Sequence, residues 1–199
     1  MRVLTSPTGT RYTFDPGSPA VELLLSGGPG RYERWEVLHE PADLRTWLAD
    51  SMLGGMAPLT DLRIRPAELA RVKHVRDALW DVLVAVARGE EPVGSHIEIL
   101  NQAAESPPRP RVDPDTGARE WVGPVTGTQV LGALARDALD ILSTGRRSRI
   151  RECAAGDCHL VFEDTSRPGN RRWCSMQRCG NRNKINNFRA PAGPEIGQG

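Results

Sequence analysis

The sequence predicts an α+β protein, in which a mostly helical N-terminal domain with small β elements precedes a small C-terminal unit. Two long stretches, residues 65–89 and 126–145, repeat apolar residues at the spacing of one helix face. Short extended runs that end at glycine or proline predict the β elements. The third observation is that all four cysteines lie in the last quarter of the 199-residue chain. Because the composition changes near residue 145, we predict one domain over residues 1–145 and another over residues 146–190.

The first forty residues are typical of short strands and turns. The runs RVLTS (residues 2–6) and RYTFD (residues 11–15) predict two strands. AVELLLSGGPG (residues 20–30) predicts a third, apolar strand that its glycines end. The GGPG sequence lacks the Gly-Lys-Ser/Thr ending of a phosphate loop and does not fit GxGxxG, so we interpret it as a surface turn.

Two helices are predicted next. Residues 40–52 place Pro41 in a first helical turn, where proline is favoured. Residues 65–89 form the clearest helix of the chain, which Pro66 opens and Gly89 closes. The apolar stripe of that second helix consists of Leu69, Val72, Val75, Leu79, Val82, Leu83 and Val86.

The rest of the N-terminal part continues the helical pattern. Residues 94–105 predict a helix with Ser95 as N-cap. Residues 111–122 have a turn signal between two extended runs and predict a hairpin. Residues 126–145 predict a long helix that ends at Gly145.

Charge is distributed unevenly along the chain, although the formal net charge is only +1. Residues 144–190 hold eleven basic and four acidic residues, a balance of +7, whereas residues 1–143 hold fifteen basic and twenty acidic residues, a balance of −5. Such an asymmetry indicates an anionic partner for the basic segment, and nucleic acid is the usual one. Apolar runs such as VLVAVA at 82–87 are far shorter than the ~18 residues that span a bilayer. With no secretory signal visible, we expect a cytoplasmic protein without a membrane partner.

The four cysteines have the spacing of a metal site. They form two pairs, CAAGDC and CSMQRC, each with four intervening residues. Two short thiol loops separated by a longer span are typical of a four-thiolate zinc site, in which soft sulfur ligands close a tetrahedral shell. The sequence therefore predicts one structural Zn²⁺ held by Cys153, Cys158, Cys174 and Cys179, with no open position for catalysis.

The alternative interpretation of the cysteines is two disulfides. Disulfides need an oxidising compartment, and nothing in the chain indicates export. His159 directly follows Cys158 and could replace a ligand, but four thiols already complete the shell.

The segment around the cysteines predicts a compact finger. HLVFED supplies one strand, SRPGN turns the chain at Pro168 and Gly169, and RRWC returns it with Trp173 as an anchor. Residues 180–189 predict a short helix with Ile185 and Phe188 packed inward. Knuckle, hairpin and helix together predict a treble-clef-like zinc finger, followed by a flexible tail over residues 191–199.

The C-terminal motif resembles the CGNR zinc-finger family, named for the tetrad that stands here at residues 179–182. The resemblance covers residues 148–189, including FEDTSRPGNRRWCSMQRCGNRNK. It implies the same four zinc ligands and a bacterial transcriptional regulator that binds DNA through basic residues. The family's basic residues match Arg171, Arg172, Arg182 and Lys184.

Members of that family usually carry an N-terminal domain of the ABATE type, a stress-responsive regulatory module. The helix pattern of residues 20–143 is similar to it. The family's early strand ends in an aromatic-x-Asn-Thr signature, where this chain has VELLLSGG.

Several polar residues of the finger are candidates for contacts with DNA. The predicted nucleic-acid-binding residues are Arg171, Arg172, Arg178, Arg182, Lys184, Asn186 and Arg189. Arginines on the hairpin would contact phosphates, and arginine or asparagine on the helix could reach base edges. For Asn181 and Arg182, which adjoin a ligand, an equally weighted interpretation is that they support the zinc site.

Other function classes are weighed against a DNA-binding regulator. The runner-up is a protein-interaction module whose basic finger docks on an acidic partner, and RNA binding is a further alternative. An enzyme is the least favoured class, because no nucleophile motif stands out. The four histidines, which show no ligand spacing, are His39, His74, His96 and His159.

The N-terminal domain is predicted to sense a ligand or to mediate dimerisation. One small finger buries little surface for tight binding, which favours a homodimer. The acidic N-terminal domain could also dock on the basic finger. Tryptophans that could line a ligand pocket, although a core role is the ordinary one, are Trp35, Trp47, Trp80 and Trp121.

Overall fold

The computed structural model describes residues 1–6 and 9–189, with side chains up to Ile185. The predicted flexible tail, residues 191–199, lies outside the described residues. The helices are α1 (Pro19–Leu23), α2 (Pro41–Ala49), α3 (Met52–Met56), α4 (Pro66–Arg88), α5 (Gly94–Ala103), α6 (Gly127–Ser143) and α7 (Asn181–Arg189). The strands are β1 (Arg2–Thr5), β2 (Arg11–Phe14), β3 (Leu62–Arg63), β4 (Pro110–Val112), β5 (Arg119–Trp121), β6 (Val125–Thr126), β7 (Ile150–Glu152) and β8 (Val161–Glu163). The α+β class is confirmed.

Each strand of the described chain pairs with one partner only. β1 pairs with β2, β4 with β5 and β7 with β8, all antiparallel, whereas β3 runs parallel to β6. We call helices α1–α6 the helical unit and residues 146–189 the finger. The helical unit packs mainly through α4, α5 and α6, which contact one another.

The central helix α4 begins and ends at the residues that the sequence predicts. Pro66 occupies its first turn, and Gly89 ends it in the left-handed conformation at φ 75°. The Glu68 carboxylate accepts hydrogen bonds from the backbone nitrogen of Arg65 at 2.9 Å and of Thr128 at 3.3 Å. Glu68 thereby caps its own helix and ties it to the first turn of α6.

The strand predicted over residues 20–30 is wrong, because this segment forms α1 and a 3₁₀ turn at Leu24–Ser26. Ser18 caps α1 by accepting a hydrogen bond from the nitrogen of Val21, and Pro19 takes the first helical position. The leucines that resemble a buried strand are instead buried by helix packing against α6. A short apolar run fits a buried strand and a buried helix equally well, and here the Ser18 cap favours the helix.

The predicted hairpin of the finger has a different partner strand. β8 pairs with the preceding β7, with Ile150 opposite Glu163, and the RRWC segment forms no strand. That segment is held instead by individual hydrogen bonds, from Ala154 N to the oxygen of Arg172 and from Arg171 N to the Asp164 carboxylate. The helix predicted over residues 180–189 is confirmed as α7, but the prediction that Ile185 packs inward is wrong, since this side chain is 51 % exposed.

Two hydrophobic cores hold the molecule together. The larger core belongs to the helical unit but also takes Ile150 and Val161 from the finger. The smaller core combines the four cysteines with Phe162 and with Tyr12 and Phe14 from β2. The N-terminal hairpin therefore packs on the finger, and the domain boundary at residue 145 stays a prediction.

The described helices do not include one that is both long and apolar enough to cross a membrane.

Gly17 is a point of close approach between the N-terminal segment and the finger. It has a φ of 86°, and a Cβ there would lie 2.4 Å from the backbone oxygen of Glu163. We expect Gly17→Ala to lower the free energy of unfolding by about 3 kcal/mol, since the left-handed conformation and the clash both oppose a side chain. Urea unfolding measures this change.

Gly117 provides the matched control for that substitution. Its φ is 70°, but no atom lies within 4 Å of a Cβ built there. Gly117→Ala should cost about 1 kcal/mol, the conformational part alone. Equal losses in the two variants would contradict the clash with Glu163.

Candidate metal centre and nucleic-acid interface

The four cysteines converge from two loops that short hydrogen bonds shape. Cys153 and Cys158 lie between β7 and β8, and Cys174 precedes a π-helical turn, Met176–Gly180, that contains Cys179. The first loop is closed by Cys153 N donating to the oxygen of Leu160 at 2.9 Å. In the second loop Cys179 N donates to the oxygen of Ser175 at 3.0 Å.

The sulfur atoms form one buried cluster. All four Sγ atoms lie within 4.8 Å of one another, and every cysteine is at most 5 % exposed. Cys174 Sγ is 3.7 Å from Cys158 Sγ and 3.5 Å from Cys179 Sγ. A tetrahedral zinc with Zn–S bonds of about 2.3 Å sets neighbouring sulfurs about 3.8 Å apart. The donor set and its spacing therefore fit one zinc ion with a complete sulfur shell.

Hydrogen bonds among the four thiols move their pKa values in opposite directions. Hydrogen bonds from the other thiols, first that of Cys158, lower the pKa of Cys153. The pKa of Cys174 is raised, first by its hydrogen bond with Cys153. A divalent cation removes this conflict, because it allows every sulfur to be a thiolate.

Two predicted DNA-binding arginines lie beside the sulfurs. Arg178 Nη1 is 3.6 Å from Cys158 Sγ and donates to the Tyr12 hydroxyl at 3.1 Å. Arg182 Nη2 is 3.8 Å from Cys179 Sγ, and its guanidinium forms a forked ion pair with Asp157. Both place positive charge next to a thiolate cluster, which stabilises its negative charge. This arrangement matches the second interpretation of Arg182, in which it supports the metal site.

Arg171, a further predicted DNA-binding residue, is hydrogen-bonded within the protein. Its guanidinium donates to the backbone oxygens of Trp173, Asp15 and Cys174 and lies 4.1 Å from the ring centroid of Phe162. Burial lowers its pKa. Each of its three nitrogens donates to an internal carbonyl, so Arg171 joins the N-terminal segment to the finger, and its contact with DNA stays a prediction.

Comparison with family models agrees with this architecture. Residues 17–145 match the ABATE model, described as "Putative stress-induced transcription regulator", and residues 149–191 match the CGNR zinc finger model. The first match covers more than half of the chain. The chain belongs to the ABATE family. It also carries a CGNR zinc finger, whose four clustered cysteines fit one structural Zn²⁺, as predicted. No curated protein matches the chain.

Three cations of the CGNR finger remain available to an anionic partner. Arg167, Arg172 and Lys184 are exposed, and among the described residues no carboxylate pairs with them. Arg172 lies over the ring of Trp173, 5.2 Å from its centroid. Sequence reasoning did not select Arg167, which the PGN turn projects into solvent.

The predicted contact residues of α7 lie partly beyond Ile185, the last residue whose side chain is described. Asn181 is exposed at the first position of α7, and Asn183 donates to the oxygen of Cys179 at 3.0 Å. Asn186 and Arg189 belong to α7, but their side chains lie outside the described residues. Their contacts with DNA stay predictions.

Arg146 is a cation that joins the CGNR finger to the ABATE helices, as Arg88 also does through its ion pair with Glu152 at 2.9 Å. Arg146 donates to both carboxylate oxygens of Glu163 at 2.8 and 2.7 Å, and to Asp137 and Asp140 of α6 at 2.9 and 2.7 Å. Hydrogen bonding to Glu163 raises the pKa of the Arg146 guanidinium. Acidic side chains of the helical unit thus do contact a basic residue of the finger, an arrangement that the sequence left undecided.

The N-terminal hairpin is the part of the site that sequence reasoning missed. Tyr12 and Phe14 are buried against the sulfur cluster, and Thr13 N donates to the Gln177 side chain at 2.9 Å. The available signal is the alternation in RYTF, which places both aromatic rings on one face of β2.

Proposed function

We propose that the protein is a zinc-dependent, DNA-binding transcriptional regulator of the cytoplasm, without enzymatic activity. The proposal rests on three exposed cations of the finger that have no carboxylate partner among the described residues: Arg167, Arg172 and Lys184. Exposed cations that no carboxylate neutralises favour phosphate contacts, since binding then releases counterions without breaking an ion pair. Arg189 is the fourth candidate, from the predicted helix face.

The contacts of the finger's arginines support a division of the predicted roles. Arg171, Arg178 and Arg182 are engaged by carbonyls, by Tyr12 and by Asp157. In the proposed complex they hold the finger's shape, while the exposed cations bind the DNA backbone. The ABATE domain contributes ligand sensing or dimerisation, which gives the regulator its input.

The test is a salt titration of DNA binding. Zinc-loaded protein is titrated into labelled mixed-sequence duplex DNA at several salt concentrations and followed by fluorescence anisotropy. If three or four cations meet phosphates, log K should fall with log salt at a slope of roughly −3 to −4. In Arg167→Ala/Arg172→Ala the magnitude of the slope should decrease by about 2.

A matched double variant separates local contacts from net charge. Arg45 on α2 and Arg71 on α4 are also exposed, and the described chain shows no ion pair for either. Arg45→Ala/Arg71→Ala removes the same charge and should leave the slope unchanged. No binding at low salt, or equal slopes in both double variants, would reject the proposed interface and favour a protein partner for the finger; a parallel RNA titration tests the remaining class.

A further inference from the structure

A large cavity lies where the helical unit, the N-terminal hairpin and the finger meet. Its volume is about 890 Å³. Leu24 and Trp80 line it from the helical unit, Tyr12 from β2, and Leu160 and Arg178 from the finger. Sites for small molecules have volumes of about 300–1,000 Å³ and are mainly apolar, with a few polar groups.

The aromatic lining of the cavity is built around stacked rings. Tyr32 and Trp80 stack with centroids 3.9 Å apart and an interplanar angle of 12°. Trp80 is 2 % exposed, and its indole nitrogen donates to the oxygen of Gly27 at 2.8 Å. Trp35, whose ring centroid lies 6.3 Å from that of Tyr32, also lines the cavity. Two of the four tryptophans considered as pocket residues therefore line this space.

Apolar side chains at the opening are unusually exposed. Trp35 is 42 % exposed, Val37 47 % and Ile185 51 %, and all three line the cavity. They come from both sides of it, since Ile185 belongs to α7 of the finger. Large apolar side chains gathered at one opening mark a surface that a ligand covers.

The polar groups of the cavity carry excess positive charge. Arg34 lies over the Trp35 ring at 3.9 Å, and within the described residues no carboxylate pairs with it. Arg178 has the Tyr12 hydroxyl and a sulfur as neighbours. Arg182 is neutralised by Asp157. Arg178 is engaged by Tyr12 and the sulfur cluster, so Arg34 is the cation of the lining that faces this aromatic, largely apolar space without a carboxylate partner among the described residues.

We propose that this cavity binds a planar aromatic carboxylate. The rings supply stacking surface, and the Arg34 guanidinium supplies the fork that matches a carboxylate. A neutral apolar molecule would leave the Arg34 guanidinium desolvated without a partner, and a polyphosphate would find too few cations.

The position of the cavity also links the ligand to the finger. Its wall includes Cys158, Arg178 and Asn181, so a molecule bound there contacts the loop that fits zinc and the start of α7. A ligand in contact with both units favours one arrangement of them over others. That this alters DNA affinity rests on the function proposed above, whereas the binding itself does not.

The test uses 2-naphthoate and full-length, zinc-loaded protein in isothermal titration calorimetry without DNA. We expect one molecule to bind per chain, and 2-naphthylmethanol and cyclohexanecarboxylate to bind much more weakly. Arg34→Gln should weaken 2-naphthoate binding about tenfold, the scale of one charge-assisted contact, and leave the neutral alcohol unaffected. Arg34 is chosen because it contacts no cysteine.

Arg119 provides the control, because it forms the same arginine–tryptophan contact elsewhere in the protein. Arg119 lies over the Trp121 ring at 5.2 Å, outside the cavity, and Arg119→Gln should leave the affinity unchanged. Equal affinity for acid and alcohol, or equal losses in both arginine variants, would overturn the proposal. So would a dimer, seen by sedimentation, that Trp35→Ser dissociates, because the exposed residues would then form an interface. Binding of 2-naphthoate by protein that fails to bind DNA would support the cavity and reject the DNA-binding role.

Discussion

Replacement of Cys174 by serine is expected to abolish stoichiometric zinc binding and to unfold the finger, while the helical unit stays folded. Half of the eight residues in the smaller core are cysteines, so little apolar surface remains without the metal. Structural zinc contributes about 10–16 kcal/mol to the folding of small fingers near neutral pH. No other interaction in the finger is of that size.

Three measurements report on that variant. Zinc content per chain, measured by mass spectrometry, should fall from one to near zero. Near-ultraviolet circular dichroism should lose the contributions of Tyr12 and Trp173, which lie in or against the smaller core. Hydrogen exchange should become fast in β8 and α7 but remain slow in α4 and α6, whose apolar residues belong to the larger core.

His159→Asn is the control for that experiment. His159 adjoins Cys158, but its Nδ1 lies 3.2 Å from the Glu152 carboxylate, and it is not among the four clustered donors. This variant should keep one zinc per chain. Full zinc content in Cys174→Ser, lost only when His159 is also replaced, would show that the histidine can complete the shell.

The metal ligands could be predicted from the sequence because their geometry is local. A C-x4-C pair has its two sulfurs on one loop, whichever fold surrounds it. The long helices α4 and α6 were predictable for the same reason, since periodicity and caps are properties of neighbouring residues. Local pattern was insufficient for α1, where the run of apolar residues fitted two structures.

The roles of the basic residues depend on partners far away in the chain. Arg178 meets Tyr12 across 166 positions, and Arg171 meets the oxygen of Asp15 across 156. A charge count contains neither contact, so it cannot separate cations that hold the finger together from those that face solvent. Arg76 is a similar case. It lies on the buried face of α4, although a charged residue in a sequence normally indicates an exposed position.

Arg76 is the basis of the second large effect. It is 1 % exposed, and its guanidinium donates to both carboxylate oxygens of Glu36 at 3.0 and 2.9 Å and to the oxygen of Ser26 at 3.3 Å. A Cβ at Gly27 would lie 3.0 Å from this guanidinium, so the loop closes tightly over it. We expect Arg76→Leu to lower the free energy of unfolding by about 3 kcal/mol, since it removes the forked partner of the Glu36 carboxylate. Glu36 then keeps only Lys73 at 3.2 Å and the nitrogen of Leu38 at 2.9 Å.

An exposed pair provides the comparison for that loss. Arg63 and Asp61 are 3.3 Å apart, with side chains 71 % and 52 % exposed. Arg63→Leu should change the free energy of unfolding by about 0–1 kcal/mol in the same urea titration. If both variants lost the same amount, burial of the Arg76–Glu36 pair would not be the cause.

The same pair predicts how stability depends on pH. Burial acts to raise the pKa of Glu36, but hydrogen bonds from Arg76 and from the nitrogen of Leu38 outweigh it and lower the pKa to about 2. Because the folded-state pKa lies below the ordinary value of 4.5, Glu36 stabilises the fold above pH 4.5, and this contribution is lost as the pH falls towards 2. In Arg76→Leu that part of the acid dependence should become smaller, since the guanidinium makes the largest lowering contribution to the pKa of Glu36 while Leu38 and Lys73 still lower it. Urea midpoints between pH 2 and 6 test this, and an unchanged acid slope in Arg76→Leu would show that other carboxylates, such as the one at Glu68, carry the dependence.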